Sequence, residues 1–247
     1  MFYYTHQILF YLHVFFGCFA LLVFWLPIWA KKGAKNHILF GKAFAYGMYA
    51  VALSGMLMSV LTMIDPLTIR QVSADIDALR AQELTSRYRS FAFFLFALSV
   101  LVFYNTRQSI LVLKAKSNRA LLKSWLHLTL LLLLAASGIA LLIIGLQQQS
   151  ILFQVFAGLC LFNVLSSSRY IYKAELKQRE WLLEHLGNIL GAGIGAHTAF
   201  FIFGGSRFFA EIFTGQLMMI PWIAPGVFGT FLIVFFTKKY KKQYKVG

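Results

Sequence analysis

The amino-acid sequence predicts an all-α fold: a polytopic membrane helix bundle with seven transmembrane helices, the N-terminus outside and the C-terminus cytoplasmic. Three observations carry that expectation. The 247 residues are 60% hydrophobic and 13% charged, with a mean hydropathy of +0.72, whereas a soluble domain is nearer half apolar and a quarter charged. The apolar residues gather into seven runs of about the ~20 residues that a helix needs to cross a hydrocarbon core. Lys and Arg collect in every second connection, the pattern that fixes orientation in a bilayer.

The seven runs are 8–29, 43–64, 91–113, 124–146, 151–171, 182–204 and 217–237, read as a single transmembrane domain over 1–247. The first follows "MFYYTHQ", which has no basic residue, and no A-x-A site comes after it, so it reads as a helix and not as a cleaved signal. The connections 31–42, 107–123, 169–179 and 238–245 are rich in Lys and Arg. Of the 23 basic residues only Arg70, Arg80, Arg87, Arg89 and Arg207 fall on the other side, facing Asp65, Asp75, Asp77, Glu83 and Glu211. The formal net charge of +15 is therefore an orientation signal and an attraction to anionic lipids at the cytoplasmic face, not a nucleic-acid footprint. The expected location is the cell inner (plasma) membrane.

The longest connection carries Ile69, Val72, Ile76, Leu79 and Glu83 at three-and-four spacing, which predicts a short amphipathic segment over about 67–88 lying on the outer surface. "GGSRFFAEIFTGQ" reads as a second outer interfacial segment, and Pro221 and Pro225 predict a kinked start to the last helix. Cys18 and Cys160 sit inside apolar runs without metal spacing and read as small buried residues.

Ionisable side chains are costly in hydrocarbon, so the places where they collect are the first candidates for a site. An outer layer holds His6, His13 and His197. An inner layer holds His127 and His185 at helix starts, with Asn105, Arg107, Asn163, Ser166, Arg169, Glu184 and Asn188. In "KKGAKNHILFGK", residues 31–42, His37 lies between Gly33 and Gly41 and is expected to act as a lid residue in a loop folding over the bundle mouth. Gly187, Gly191 and Gly195 recur every four residues, a stripe that another helix backbone or a flat cofactor can approach. His185 and His197 point about 120° apart around their helix.

The run from His13 through "GCFALLVFW" and "KKGAKNHILFGK" to "AFAYGMYAVALSG" resembles the opening of an uncharacterised bacterial family of multi-pass membrane proteins, classed only as a domain of unknown function. In that family a His-bearing first helix leads through a K-G…H…G loop into the second. The later "EHLGNILGAGIGAHTAF" is similar to its second signature. The matching positions are His13, Lys32, Gly33, His37, Gly41, His185, Thr198, Ala199 and Phe200. The resemblance implies a membrane bundle and singles out His37 and His185; it brings no established activity.

Four functions compete for these residues. A b-type haem or quinone redox protein would take axial imidazoles from His127 with His185 or from His13 with His197, and propionate partners from Arg107 and Arg169. A metal-dependent hydrolase would use His37, His127 and His185 with Glu184 as base, although no HxxxH or HExxH spacing exists. A small-anion or lipid transporter would use Arg107, Arg169 and the inner polar layer. A non-catalytic assembly or structural subunit would bind another membrane protein or form a homo-oligomer and need no chemistry. The sequence assigns no catalytic residue and no metal set.

Overall fold

The computed structural model describes residues 2–205, 217 and 220–246. Among them there is no strand, and seven helices are long and apolar enough to cross a membrane. In chain order the helices are α1 (Phe2–Trp29), α2 (Lys35–Ile64), α3 (Pro66–Ile69), α4 (Ala78–Ala115), α5 (Trp125–Gln147), α6 (Ile151–Tyr172), α7 (Glu180–Ala199) and α8 (Ile220–Gln243). A 3-10 turn, Arg119–Lys123, precedes α5, and a π-helical turn, Phe200–Gly204, prolongs α7. The second interfacial segment expected from "GGSRFFAEIFTGQ" falls mostly outside the described residues.

Several helix ends differ from expectation: α1 starts at Phe2 and not at 8, and in two further cases polar residues with good helix propensity carry the helix past its apolar run. The amphipathic segment expected over 67–88 does not form as a separate helix. Asp65 caps the four residues of α3, a turn follows, and Asp77 accepts the Arg80 N–H at 2.9 Å to start α4. From Ala78 onward no Gly or Pro interrupts the chain until Ala115, and "ALRAQEL" is rich in strong helix formers. The result is one helix of 38 residues, about 57 Å long at 1.5 Å per residue against a hydrocarbon core of about 30 Å. At the other end of the chain α8 runs to Gln243, through "KKYKKQ".

A further difference concerns the 31–42 loop. Only residues 30–34 lie outside helix, with Gly33 in the left-handed region at φ +77°, a conformation that glycine adopts without Cβ strain. α2 begins at Lys35, so His37 stands in its first turn and Gly41 in its second. His37 is a helix-start residue, not a lid in a loop.

The chain gathers into two compact units. One comprises Met1–Cys18, Gly47–Tyr104 and Trp125–Tyr170; the other comprises Phe19–Tyr46, Asn105–Ser124 and Ile171–Gly247. In the first, Phe94 is fully buried, stacked on Phe153 at 5.3 Å and edge-on to Phe156 at 5.1 Å. Small residues let its helices close up: a Cβ on Gly138 would stand 3.0 Å from Cys160 Cβ, and one on Gly145 would stand 3.0 Å from the Gln154 nitrogen. Cys160 is buried as expected, whereas Cys18 is exposed.

In the second unit α7 is the central element. A Cβ on Gly193 would collide with the Phe24 ring of α1, and one on Gly229 of α8 would collide with Ile194. The expected packing stripe of Gly187 and Gly191 is not where the backbones close up: Gly187 has open space beside it and Gly191 meets only the Asn105 amide, at 3.4 Å. Arg119 ties the end of α6 by donating to the carbonyls of Ile171, Lys173 and Ala174. Lys173 and Glu180 form an ion pair at 2.7 Å across the turn into α7.

Candidate functional site

The polar residues of the second unit are organised along the seam between the last turns of α4 and the first turns of α7. "NTRQS" places Asn105, Gln108 and Ser109 at i, i+3 and i+4, one helix face. "EHLGN" places Glu184 and Asn188 four apart, with His185 beside them. The two helices meet in antiparallel order. Ser109 contacts His185, Gln108 contacts Glu184, and one turn back Asn105 reaches Gly191. The Glu184 carboxylate accepts from Gln108 Nε2 at 2.9 Å and from Asn188 Nδ2 at 3.0 Å.

The histidine geometry has a chemical consequence. A carbonyl oxygen only accepts, so an imidazole nitrogen facing one must carry the proton. His185 Nδ1 lies 3.1 Å from the Ser109 carbonyl and 2.8 Å from its hydroxyl oxygen. His37 Nδ1 lies 3.0 Å from the Pro27 carbonyl. His197 Nδ1 lies 2.8 Å from the Gly193 carbonyl. In His37 and His197 the Nδ1–H is donated to the main chain and Nε2 keeps its lone pair, with no hydrogen-bond partner among the described residues; His185 Nδ1 can either donate to the Ser109 carbonyl or accept from the Ser109 hydroxyl, and its Nε2 likewise makes no hydrogen bond among the described residues. This is how metal- and haem-ligating imidazoles are oriented: the distal nitrogen is fixed by an acceptor and the other coordinates.

The α1–α2 corner builds the His37 half of this arrangement. The last carbonyls of α1 have no intrahelical donors. Lys32 Nζ donates to Pro27 O and Ile28 O, each at 2.7 Å, and His37 Nδ1 adds a second donor to Pro27 O. Lys32 also lies over the Tyr240 ring of α8 at 5.8 Å. Burial, together with the Lys239 ammonium nearby, holds the Lys32 amine below its ordinary pKa. His37 and Lys32 belong to the same compact unit as His185.

The remaining expected site residues have other surroundings. His197 sits edge-on to Phe24 at 5.0 Å and to Trp25 at 5.6 Å. His13, in the first unit, faces Ser54 Oγ at 3.0 Å; the Ser54 hydroxyl proton is directed to the Ala50 and Val51 carbonyls, so the oxygen accepts from His13 Nδ1–H. His127 is fully buried, stacked on Tyr104 at 5.0 Å with its Nε2 3.4 Å from the Tyr104 hydroxyl. Arg107 has a buried Nε without a hydrogen-bond partner among the described residues, and Arg169 is exposed at the end of α6. No three His, Cys, Asp or Glu gather in a metal-binding group among the described residues. One cavity is lined by Ser117, Asn118, Arg119, Ala120 and Lys123, and another by one apolar face of α8; neither borders a histidine.

Gln108 and Ser109 are the site residues that sequence reasoning missed. Both lie inside the third apolar run, 91–113, where it overlaps the basic stretch 107–123. The signal that marks them is the polar i, i+3, i+4 set beginning at Asn105, all of it buried. No protein-family model, curated protein or solved structure matches this chain.

Proposed function

We propose that the chain is a redox protein of the cell inner membrane that holds a b-type haem through His37 and His185, with an isoprenoid quinone as its membrane-soluble partner. The observation that supports this reading is the way both imidazoles are held: each is fixed through Nδ1, His37 by the Pro27 carbonyl and His185 by Ser109, and neither Nε2 makes a hydrogen bond among the described residues. Both belong to the same compact unit. His127, whose Nε2 faces Tyr104, is left out of the ligand pair.

The donor set fits the group. Two neutral nitrogens suit haem iron, which supplies one-electron chemistry when bound. Ser109 and Pro27 orient the imidazoles, and the Arg107 guanidinium, with its buried Nε unpartnered, suits a propionate. Lysines at this end of the helices support a site on the cytoplasmic side, by the positive-inside rule. The described cavities lie away from both histidines, so haem would enter in place of packed side chains, and the protein must be made in a haem-replete host.

The test is a dithionite-reduced minus oxidised spectrum of the detergent-purified protein, with pyridine haemochrome quantitation. Sharp α and Soret bands at a fixed haem-to-chain ratio are expected, lost in His37→Ala and His185→Ala and kept in His127→Phe. A flat spectrum sinks the redox reading, and bands that survive both alanine changes sink the ligand assignment.

A further inference from the structure

Asn105 is 5% exposed, and its Oδ1 is enclosed without a hydrogen-bond partner among the described residues. Its Nδ2 points to the place where a Cβ on Gly191 would stand, 3.4 Å away. No bond to either end of the amide is made among the described residues, although the neighbouring polar groups of the seam are well paired: Gln108 and Asn188 hold Glu184, and Ser109 holds His185. One turn along α7, Gly187 has no atom within 4 Å of its missing Cβ. Two glycines four residues apart thus share one strip of α7, with the idle Asn105 amide against it at Gly191 and open space beside it at Gly187.

The chemistry of that strip is restrictive. A ligand there must be flat, because the two glycines offer backbone and no pocket walls. It must be uncharged, because the nearby carboxylate is already satisfied by amides. It must exchange a hydrogen bond with an amide that offers one donor end and one acceptor end. It must also reach the site through lipid. We propose that this strip binds the ring of an isoprenoid quinone, with the Asn105 amide as its hydrogen-bonding partner. The oxidised ring presents a carbonyl that accepts from Nδ2–H, and the reduced ring presents a hydroxyl that donates to Oδ1; rotation of the amide serves either state. The site gives a location to the quinone partner of the redox reading and rests on that reading for its purpose, though not for the binding itself.

The experiment uses the full-length protein in lipid nanodiscs and tritiated decylubiquinone as probe, with binding measured by scintillation proximity and haem read on the same samples. Asn105→Leu removes both ends of the amide at similar size, and Gly187→Leu fills the strip from the other helix. Asn163→Leu, which removes a second buried and unpartnered amide oxygen in the first unit, is the control. Saturable binding, weakened at least tenfold by Asn105→Leu and by Gly187→Leu and unchanged by Asn163→Leu, is expected. Should Asn105→Leu fail to give monodisperse protein, Gly187→Leu decides alone. Absence of saturable binding in the wild-type chain, or equal affinity in the seam variants, overturns the site even where haem is present. Binding that depends on Asn105 in protein with a flat spectrum supports the site while removing the haem reading.

Discussion

The close approach of α1 and α7 is tested by a pair of matched substitutions, Gly193→Ala and Gly187→Ala. Both replace a glycine inside α7, so both gain the same helix propensity, about 1 kcal/mol. They differ in what the new methyl meets. At Gly187 it meets nothing within 4 Å; at Gly193 it collides with Phe24 Cε2 and lies 2.7 Å from Cδ2 and from Cζ. The Phe24 ring has little room to yield, being packed at 5.3 Å from Phe44, 5.2 Å from Trp25 and 5.0 Å from His197. Overpacking of this kind costs about 1–3 kcal/mol. With the propensity gain common to both, that range is the expected stability difference between the two variants. At about 2–4 °C per kcal/mol for a chain of this size, Gly187→Ala should melt roughly 2–12 °C above Gly193→Ala in the same detergent. Trimming the ring, in Phe24→Leu/Gly193→Ala, should recover part of the loss. Equal melting temperatures for the two alanine variants would falsify the packing of α1 on α7 through Gly193.

Two further outcomes follow from the α4–α7 seam and the α1–α2 corner. Gln108→Leu leaves Glu184 with Asn188 as its remaining amide donor and should destabilise the protein by about 1–3 kcal/mol, the usual cost of removing a partner from a buried polar group; Glu184→Gln in the same background should recover part of it, and thermal unfolding of the three variants measures both. Lys32 has a folded-state pKa below its ordinary value of 10.5, so between that lowered pKa and 10.5 the unfolded chain binds more protons than the folded one. Stability attributable to Lys32 must then rise with pH across that alkaline window. A melting series from neutral pH to just below 10.5 on wild type and Lys32→Met should show a rise in the wild type that the variant lacks; identical slopes would remove Lys32 as its source.

The seven spans were legible because hydropathy over ~20 residues is a property of composition. The helix ends were not. "ALRAQEL" and "KKYKKQ" are polar, and polarity was read as the end of a helix, whereas propensity continued it through both segments. Gln108 and Ser109 were missed for another reason: they lie inside the expected span 91–113, but an uncharged amide and a hydroxyl draw less notice there than Asn105 and Arg107 beside them. His37 and His185 were singled out, but which group holds each Nδ1, and so what each Nε2 is left to do, is set by tertiary contacts. The Gly187, Gly191 and Gly195 stripe drew attention by its regular spacing, yet the tight glycine is Gly193, which only the position of the Phe24 ring reveals.

His37 presents the sharpest choice between a structural and a chemical role, because its Nδ1–H has a structural task that another side chain can perform. The end of α1 leaves carbonyls in need of donors, and Lys32 already gives one hydrogen bond to Pro27 O and one to Ile28 O. His37 therefore adds a second donor to a carbonyl that already has one, a contribution of about 0.5–1.5 kcal/mol. A glutamine amide can supply that donor, but it has no imidazole nitrogen to offer iron. If His37 serves only to close the α1–α2 corner, His37→Gln should match the wild type in melting temperature and in absorbance. If it is a ligand, His37→Gln should keep the melting temperature within about 1 kcal/mol of wild type in free-energy terms and lose the haem bands, while Lys32→Met should loosen the corner and leave the bands in place. A His37→Gln protein that melts early and keeps its full absorbance would reverse the assignment, making the corner the reason for the histidine and leaving His185 to find its partner elsewhere.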